Sequence, residues 1–358
     1  MLKSVSLNQF TVFKKLKFHF SPGINVFIGE NGTGKTHLLK VLYAAGATIL
    51  SAETGFSEKL NRVFLPSGGN IGRLVKRNNV SSRASIEIQR TERTETGTDT
   101  APFPTLRIRF SNHARGSKAK VTTSFNWREN PSSVVYIPVK DMLANAPGFR
   151  SLCSSHAVHF EEVYLDIVDK AFFPKLQGPA TKDRKKIEKI LSEAMSGKVI
   201  FRGEEFFLQN KQGKLEFTLL AEGFRKIGLL WLLLQNGSLL KGSALFWDEP
   251  ETNLNPKLMK TVVSVLLAMQ KMGVQIFLAT HNYTILRELD LQMNESYRNA
   301  AILYHSLYRD KATDEIGVNS TKTFQDIDPN AIVDTFGDQL ERDMKLTFEE
   351  KRSPREGQ

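Results

Sequence analysis

The chain has 358 residues, of which 41% are hydrophobic and 24% are charged. This length can bury a large core, and the composition excludes wholesale disorder, so we expect one elaborated domain. The single cysteine, Cys153, excludes an intramolecular disulfide and suits a reducing compartment. The longest apolar run, residues 227–234, is too short to cross a bilayer, and no signal-like segment opens the chain. We therefore expect a cytoplasmic protein with no membrane partner.

The net charge of +11 is unevenly distributed along the chain. Residues 1–150 hold 22 Lys and Arg against 9 Asp and Glu, whereas residues 151–358 hold 27 against 29. An anionic partner is therefore expected to meet the N-terminal part of the chain.

Three strands and a helix are predicted at the N-terminus. Alternating apolar residues over 2–7 and 16–20 predict two half-exposed strands, and the apolar run 24–28 predicts a buried strand. A helix is expected to follow over residues 35–47, with apolar side chains on its inner face.

Patterns of period two over residues 84–140 predict an antiparallel β lobe. The candidate strands are 84–89, 105–110, 118–125 and 133–139. The Thr-rich segment 91–104 is expected to be a mobile hairpin tip, because it carries too little apolar surface to order itself. Residues 142–197 are expected to form short helices without a sustained heptad, which argues against long coiled-coil arms.

Strands and helices alternate in the C-terminal part, which implies parallel strands joined by crossover helices. Two hairpin-like runs are predicted at 199–208 and 215–220. They are followed by a predicted helix at 222–234, a strand at 244–247, a helix at 256–272, a strand at 274–279 and a helix from residue 283. A terminal helix is expected to begin with Asp328 as its N-cap and Pro329 as its first helical residue.

A glycine-rich loop lies between the predicted buried strand and the helix that follows it. The loop fits the pattern G-x-x-x-x-G-K-[ST], and its context is that of a phosphate-binding P-loop rather than a chance turn. Its backbone N–H groups can face the β-phosphate of ATP, its lysine can reach the β and γ oxygens, and its threonine can ligate Mg²⁺. The predicted nucleotide-binding residues are Gly29, Glu30, Asn31, Gly32, Thr33, Gly34, Lys35 and Thr36.

Two adjacent acids, Asp248 and Glu249, end the apolar strand predicted over 244–247. In an open parallel sheet, such strand ends face the ligand. We expect Asp248 to hold Mg²⁺ together with Thr36, and Glu249 to polarise the water that attacks the γ-phosphate. The two acids could instead merely cap the strand, but their pairing with Lys35 and Thr36 favours the catalytic interpretation.

The next segments, Glu251 to Pro256 and Ala279 to Asn282, resemble the ABC-type ATPases. In that class, the stretch after the paired acids lines a dimer interface, and a histidine at the end of the next strand contacts the γ-phosphate. The resemblance assigns these roles to residues 253–255 and to His281, although a histidine at a strand end is more often structural.

The same class presents a helix N-terminus to the γ-phosphate bound by the opposite subunit. The matching segment here is 221–225, in which Gly223 is the expected phosphate contact and Arg225 could add charge. Glu222 departs from the transporter form of this signature, since it must point away from the anion. An ordinary capped core helix is the alternative interpretation of this segment.

A narrower resemblance is to the stand-alone ATPases related to RecF and to the ATPase part of the overcoming-lysogenisation-defect (OLD) nucleases. It rests on LNQFTVFKKLKFHFSPGINVFIGENGTGKT, LAEGFRKIGLL and DEPETNLNP. Those nucleases carry a further catalytic domain, for which we expect no room after His281. Asp326 and Asp328 offer paired acids of the kind such a nuclease uses, but a helix cap at Asp328 explains them better.

The resemblance implies an α/β fold, a P-loop NTPase of ABC/SMC type with an antiparallel β lobe and an inserted helical lobe. We expect four parts. They are an N-terminal nucleotide-binding part with the β lobe (1–140), a helical insertion (141–198), a C-terminal nucleotide-binding part (199–347) and a flexible tail (348–358).

The first functional hypothesis is an ATP hydrolase that dimerises head to tail around two ATP molecules. Its closure would control DNA or a separately encoded nuclease-like effector, in DNA repair or antiphage defence, and this role rests on the resemblance alone. Basic residues that could track DNA, or could equally form solvated strand faces, are Arg73, Lys76, Arg77, Arg107, Arg109, Lys118 and Lys120.

Two other classes of function compete with this hypothesis. In a nucleotide-dependent scaffold, ATP binding holds a complex together and hydrolysis is slow or incidental. A transporter's motor subunit is disfavoured by the altered signature and by the basic surplus of the β lobe.

Overall fold

A computed structural model of the chain describes residues 1–50, 55–91, 103–124, 126–129, 131–156 and 158–352. The first elements in chain order are β1 (Leu2–Phe10), β2 (Phe13–His19), β3 (Ile24–Ile28), α1 (Lys35–Leu50), α2 (Phe56–Phe64), β4 (Arg83–Arg90), β5 (Thr105–Ser111), β6 (Lys120–Thr123) and β7 (Val134–Ile137). The middle elements are α3 (Phe149–Ser155), α4 (Glu162–Ala171), α5 (Lys182–Met195), β8 (Lys198–Arg202), β9 (Glu205–Asn210) and β10 (Gly213–Glu216). The last elements are α6 (Glu222–Gln235), β11 (Ala244–Asp248), α7 (Pro256–Lys271), β12 (Gln275–Ala279), α8 (Tyr283–Ser296), β13 (Ile302–Arg309), β14 (Ile316–Thr321) and α9 (Ala331–Arg352).

A six-stranded sheet of order β14-β13-β3-β12-β11-β7 carries the predicted nucleotide site. Its strands are parallel except for β14, which pairs antiparallel with β13 at one edge. Strands β3, β11 and β12 are buried along their whole length, which explains their continuous apolar sequences. The carboxyl ends of these three strands therefore lie side by side, and the expectation of parallel strands joined by helices is confirmed.

The antiparallel sheet β2-β1-β4-β5-β6 is the expected β lobe. One face of this sheet is apolar and packs on α1, where Val5, Ile86 and Ile108 share a core with Leu38 and Leu42. The other face is exposed and polar, so the strands alternate as predicted. Of the segment expected to form a mobile hairpin tip, residues 92–102 lie outside the described part of the chain.

The prediction that residues 133–139 belong to the antiparallel lobe is wrong. Strand β7 instead pairs parallel with β11 in the central sheet, with Val135 opposite Leu245. All four residues of β7 are buried, so the segment is a short apolar run of the kind found in a sheet that is covered on both faces. Strand β6 is also shorter than predicted, since it covers only Lys120–Thr123.

Helix α6 lies at the centre of the helical region, and its residues from Ile227 to Gln235 are all buried. Helix α5 packs against both α6 and α7, while α4 packs against β7 and α2. The small sheet β10-β9-β8 contains the first predicted hairpin. The second run, 215–220, is only partly a strand, because β10 ends at Glu216 and a 3₁₀ turn follows at Phe217–Leu219.

The start of the terminal helix differs from the prediction. Helix α9 begins at Ala331, and the side chain of Asn330 accepts a hydrogen bond from the N–H of Val333. Asn330 therefore caps the helix, and the N-cap expected at Asp328 is wrong. The helix continues to Arg352, so the tail expected from residue 348 begins in helix, and residues 353–358 lie outside the described part.

Within the described ranges, no helix is long and apolar enough to span a membrane. Neither α2 nor the pair β13 and β14 is predicted by the sequence patterns. The predicted domain boundaries at residues 140, 198 and 347 stay predictions.

Candidate nucleotide-binding site

The glycine-rich loop leaves the end of β3 and enters α1 in a conformation that only glycine adopts freely. Gly29, Gly32 and Gly34 have φ angles of 139°, 78° and 95°. A Cβ atom at Gly29 would lie 2.0 Å from the carbonyl oxygen of Leu307, and one at Gly34 would lie 2.5 Å from Cζ of Phe13. These two positions therefore require glycine for space as well as for backbone conformation.

The tip of the loop is open to solvent, while its base is fastened internally. Asn31 and Gly32 are exposed, and a Cβ at Gly32 would meet nothing within 4 Å. The hydroxyl of Thr33 donates a 2.8 Å hydrogen bond to the carbonyl of Glu30. The loop thus has a fixed base and an unobstructed outer side, as a cradle for phosphate groups needs.

The side chain of Lys35 is folded onto the loop itself. Its Nζ donates to the carbonyl oxygens of Gly29 at 2.7 Å and of Glu30 at 3.0 Å. Burial lowers the pKa of Lys35 to about 8, against the raising effect of Asp248 and other nearby acids. Phosphate oxygens carry full charge and are stronger acceptors than these carbonyls, so the ammonium is suited to exchange them for a bound triphosphate.

Thr36 and Asp248 meet at the base of the site. The hydroxyl of Thr36 donates to Oδ2 of Asp248 at 2.8 Å, and the hydroxyl of Tyr136 donates to the same oxygen at 3.2 Å. Asp248 is 3% exposed, and burial raises its pKa while the two hydrogen bonds lower it. A hydroxyl beside a buried carboxylate is a set of hard oxygen donors that fits Mg²⁺, and a cation there offsets the unfavourable burial of charge.

Glu249 adopts a left-handed backbone conformation, with φ of 47°, directly after Asp248. Its Oε2 accepts a hydrogen bond from the hydroxyl of Thr252 at 3.2 Å, and its Oε1 lies 3.7 Å from Nε2 of His281. Burial and Lys35 lower the pKa of His281, so its ring is mainly neutral at pH 7. The structure therefore brings the predicted acid and the predicted histidine together at neighbouring strand ends.

Two contacts in this site were not predicted from the sequence. Tyr136 reaches Asp248 because β7 lies beside β11 in the central sheet. Glu251 accepts 2.8 Å hydrogen bonds from the hydroxyl of Thr280 and from the N–H of His281. Glu251 thereby joins the loop after β11 to the end of β12. The sequence signal that could have predicted this contact is its position as the third acid of the run DEPE, residues 248–251.

The signature-like segment at the start of α6 packs on the loop after β11. A Cβ at Gly223 would lie 3.1 Å from the carbonyl oxygen of Asn253, and Asn253 Nδ2 donates to Glu222 Oε2 at 2.7 Å. Arg225 Nε lies 2.8 Å from Oδ2 of Asp141. The charge of Arg225 is thus balanced within the chain by Asp141, and its role at a phosphate stays a prediction.

Comparisons with known proteins agree with this geometry. A family model described as "AAA domain, putative AbiEii toxin, Type IV TA system" matches residues 24–287. The DNA replication and repair protein RecF of Streptococcus uberis is 34% identical over 88 residues, which are 25% of this chain and 23% of that protein. RecF of Lactobacillus gasseri is 39% identical over 75 residues, 21% of this chain and 20% of that protein. The matches therefore span about a quarter or less of these relatives.

Two solved structures share the fold over nearly the whole chain. An Smc head bound to the C-winged helix domain of ScpA has a TM-score of 0.57 at 13% identity, and covers 90% of this chain and 97% of its own. An Smc head with an extended coiled coil, bound to the C-terminal domain of ScpA from Pyrococcus furiosus, has a TM-score of 0.52 at 12% identity. That match covers 98% of this chain and 100% of the Smc head chain. The fold is therefore that of an ABC/SMC-type P-loop NTPase, and the chain resembles RecF. The predicted likeness to the OLD nucleases stays a prediction.

Proposed function

Since the chain belongs to the AAA-domain family whose model matches residues 24–287, we propose that it is an ATPase that closes as a dimer around ATP and thereby controls DNA or a nuclease-like effector partner. The observation that carries this proposal is the 2.8 Å contact between Thr36 and Asp248. That contact joins the P-loop to the strand end where Glu249 follows, so the binding and hydrolytic groups share one site.

ATP is the proposed substrate, and the P-loop is its binding element. The backbone N–H groups of the loop and the N-terminus of α1 cradle the β-phosphate, and Lys35 pairs with the β and γ oxygens. Thr36 and Asp248 would hold Mg²⁺, which supplies charge stabilisation for the phosphate oxygens when bound. These roles are assigned from the positions and chemistry of the side chains.

Hydrolysis requires a water molecule aligned with the γ-phosphate and a group that accepts its proton. Glu249 is the proposed group: its carboxylate orients the water and accepts a proton as the oxygen attacks phosphorus and the bond to ADP breaks. Neutral His281 donates from its ring to the γ-phosphate or to Glu249. Thr252 holds the other carboxylate oxygen of Glu249.

A second copy of the chain completes each site in this proposal. Gly223 lies at the N-terminus of α6, where backbone N–H groups have no partner within the helix and suit a phosphate. The γ-phosphate bound by one copy would thus be contacted by the α6 start of the other copy. We propose this ATP-held dimer as the form that meets a separately encoded effector.

The exposed face of the antiparallel sheet supports DNA as a further partner. In the strand register, Lys15, Asn8, Ser85, Arg109 and Lys120 form one continuous row across five strands. The row spans about 19 Å at the usual strand spacing of about 4.8 Å, and it contains three cations and no acid. It carries no aromatic side chain for base stacking, which favours a duplex backbone over a single strand.

Other basic residues predicted to track DNA are placed differently. Arg107 lies in the next row, where its Nε is 2.7 Å from Glu87. Arg73, Lys76 and Arg77 line a separate cavity of about 420 Å³ near the end of β5. The row through Arg109 is therefore the proposed contact with DNA, in a role in DNA repair or antiphage defence.

The test is ATP binding and turnover by the purified chain with and without Mg²⁺. We expect Mg²⁺-dependent release of phosphate, and we expect Lys35→Ala to lose ATP binding because the phosphates lose their cation. Lys189→Ala, at an exposed surface lysine, is the control and should bind ATP normally. A folded Lys35→Ala variant with unchanged ATP affinity contradicts the proposal.

A nucleotide-dependent scaffold is the alternative function. It predicts the same ATP affinity but a dimer that outlives many potential turnovers. Measuring the turnover per site together with the lifetime of the dimer separates the two functions.

A further inference from the structure

Lys226 is a lysine in an apolar setting that the reaction described above does not use. It lies in the second turn of α6, is 2% exposed and precedes the buried apolar run Ile227–Leu234. Burial lowers the pKa of Lys226, while nearby acids, Glu222 first, oppose that shift. Burying an ammonium group costs free energy unless the group is hydrogen-bonded and paired, so its contact calls for an explanation.

The contact of Lys226 is with Thr252, in the loop after β11. Nζ of Lys226 donates to the carbonyl oxygen of Thr252 at 2.6 Å. Thr252 in turn donates twice to Glu249, from its hydroxyl to Oε2 at 3.2 Å and from its N–H to the carbonyl oxygen at 3.1 Å. Lys226, Thr252 and Glu249 therefore form a continuous chain of contacts that ends on the proposed catalytic carboxylate.

Glu249 depends on few neighbours for its orientation. Its side chain is 36% exposed and its backbone is left-handed. Besides Thr252, the nearest side chain recorded against its carboxylate is the neutral ring of His281, whose Nε2 lies 3.7 Å away, which is longer than a hydrogen bond. The Thr252 hydroxyl thus makes the closest side-chain hydrogen bond to this acid among the described contacts. A residue that holds Thr252 in place therefore also orients the carboxylate of Glu249.

The same helix face carries the signature-like glycine. Gly223 and Lys226 are three residues apart, so they lie on one side of α6. That side packs on residues 252–254, through the close approach of Gly223 to Asn253 and the hydrogen bond from Asn253 to Glu222. The start of α6 and the loop after β11 are therefore fastened together at several points.

We propose that Lys226 is a positioning residue for ATP hydrolysis, which holds Glu249 through Thr252 and ties that acid to the start of α6. The inference rests on the proposed function, because it takes Glu249 as the group that acts on water. In an ATP-held dimer, Gly223 contacts the nucleotide of the second copy. When that contact shifts α6, Lys226 and Thr252 transmit the shift to Glu249 of the same chain. Hydrolysis in one site therefore depends on whether the other site holds ATP.

The first test is Lys226→Met, which keeps the length and apolar stem of the side chain and removes the ammonium. We expect kcat to fall about 10- to 100-fold through misplacement of Glu249, with KM and the Kd for ATP nearly unchanged. Lys59→Met is the matched control, since Lys59 is also a buried lysine but pairs with Asp166 and Glu162. It should lower the melting temperature and leave kcat unchanged.

The second test examines the proposed route through Thr252. Thr252→Val removes the hydroxyl at constant shape and should reproduce the loss of kcat, whereas the conservative variant Thr252→Ser, which keeps the hydroxyl, should recover kcat relative to Thr252→Val. The double variant Lys226→Met with Thr252→Val should be no slower than either single variant, because the two residues act as one unit. If Lys226→Met fails to fold, the kcat values of the two Thr252 variants remain as a test. Equal kcat values for Thr252→Val and Thr252→Ser would overturn the inference, because Glu249 would then not depend on the Thr252 hydroxyl.

Wild-type kcat in folded Lys226→Met overturns the inference, as do losses of kcat that multiply in the double variant. An equal loss in Lys59→Met overturns it too, because the effect is then one of general destabilisation. If the wild-type chain hydrolyses ATP and these variants do so equally well, the inference alone fails. If the wild-type chain hydrolyses no ATP, the proposed function and the inference fail together.

Discussion

The hydroxyl of Tyr136 lies 3.2 Å from Oδ2 of Asp248 and donates a hydrogen bond to it across neighbouring parallel strands. This bond helps to keep a buried carboxylate charged, since it lowers the pKa that burial raises. The proposed Mg²⁺ site therefore depends on a residue from β7, a strand whose sequence pattern alone predicts a place in the antiparallel sheet.

Tyr136→Phe is expected to weaken the proposed Mg²⁺ site without removing it. Loss of the hydrogen bond raises the pKa of Asp248 further and makes its charged form less favourable. The Mg²⁺ concentration for half-maximal ATP turnover should rise roughly 10- to 150-fold, because a hydrogen bond to a charged group contributes about 1.5–3 kcal/mol. Tyr304→Phe is the control, because its buried hydroxyl has no hydrogen-bond partner among the described residues. Equal Mg²⁺ titrations for the two variants would contradict the assignment.

ATP affinity is expected to fall as pH rises above about 8. Burial lowers the pKa of Lys35 to about 8 in the free protein. Below that pH the ammonium is already charged, so the Kd for ATP should be nearly flat between pH 6.5 and 7.5. Above it, binding must first recruit a proton, so the Kd should rise by roughly tenfold per pH unit.

Calorimetry in two buffers of different ionisation heat measures this proton directly. Near pH 8.5, ATP binding should take up about one proton per site, because linkage requires it. A Kd that stays flat from pH 7 to pH 9.5, with no proton uptake, would contradict the coupling of Lys35 to the triphosphate.

Glu249→Gln is expected to bind ATP normally and to accumulate as a dimer. The amide keeps the shape of the side chain but removes the carboxylate that accepts the proton from water. Mass measurement in solution with ATP and Mg²⁺ should show a dimer that is absent without nucleotide. A monomer under all conditions would count against an ATP-held dimer.

Gly223→Asp in the Glu249→Gln background should disperse that dimer. The added carboxylate would bring a negative charge to the start of α6, the segment proposed to meet the γ-phosphate of the opposite copy, while each monomer still binds ATP through its own loop. Gly223→Ala is the matched control, since its Cβ meets the same carbonyl of Asn253 at 3.1 Å but adds no charge. If both variants remain equally dimeric, the role of Gly223 is wrong, whatever the outcome for Glu249.

DNA binding is expected to depend steeply on salt and to map to the row through Arg109. Arg109→Glu with Lys120→Glu should weaken duplex binding and reduce the slope of log K against log salt by about two, at roughly 0.9 per lost phosphate contact. Lys214→Glu, on the exposed strand β10, is the control and should change neither quantity. Binding that is flat in salt, or that survives reversal at Arg109, contradicts the proposed surface.

The sequence by itself determined the P-loop strand, its glycines and the positions of Asp248 and Glu249. The sequence signals behind these predictions are local. A strand buried on two faces is a continuous apolar run, and a phosphate-binding loop needs glycine, lysine and threonine close together in the sequence. Only the tertiary structure decided that β7 pairs with β11, that Tyr136 meets Asp248 and that Lys226 reaches Thr252. Residues 134–137 are apolar in either sheet, and which partner they pair with depends on which surfaces the whole chain buries together. The periodicity of apolar residues indicates which face of a strand or helix is buried, but it does not indicate which other element packs against that face.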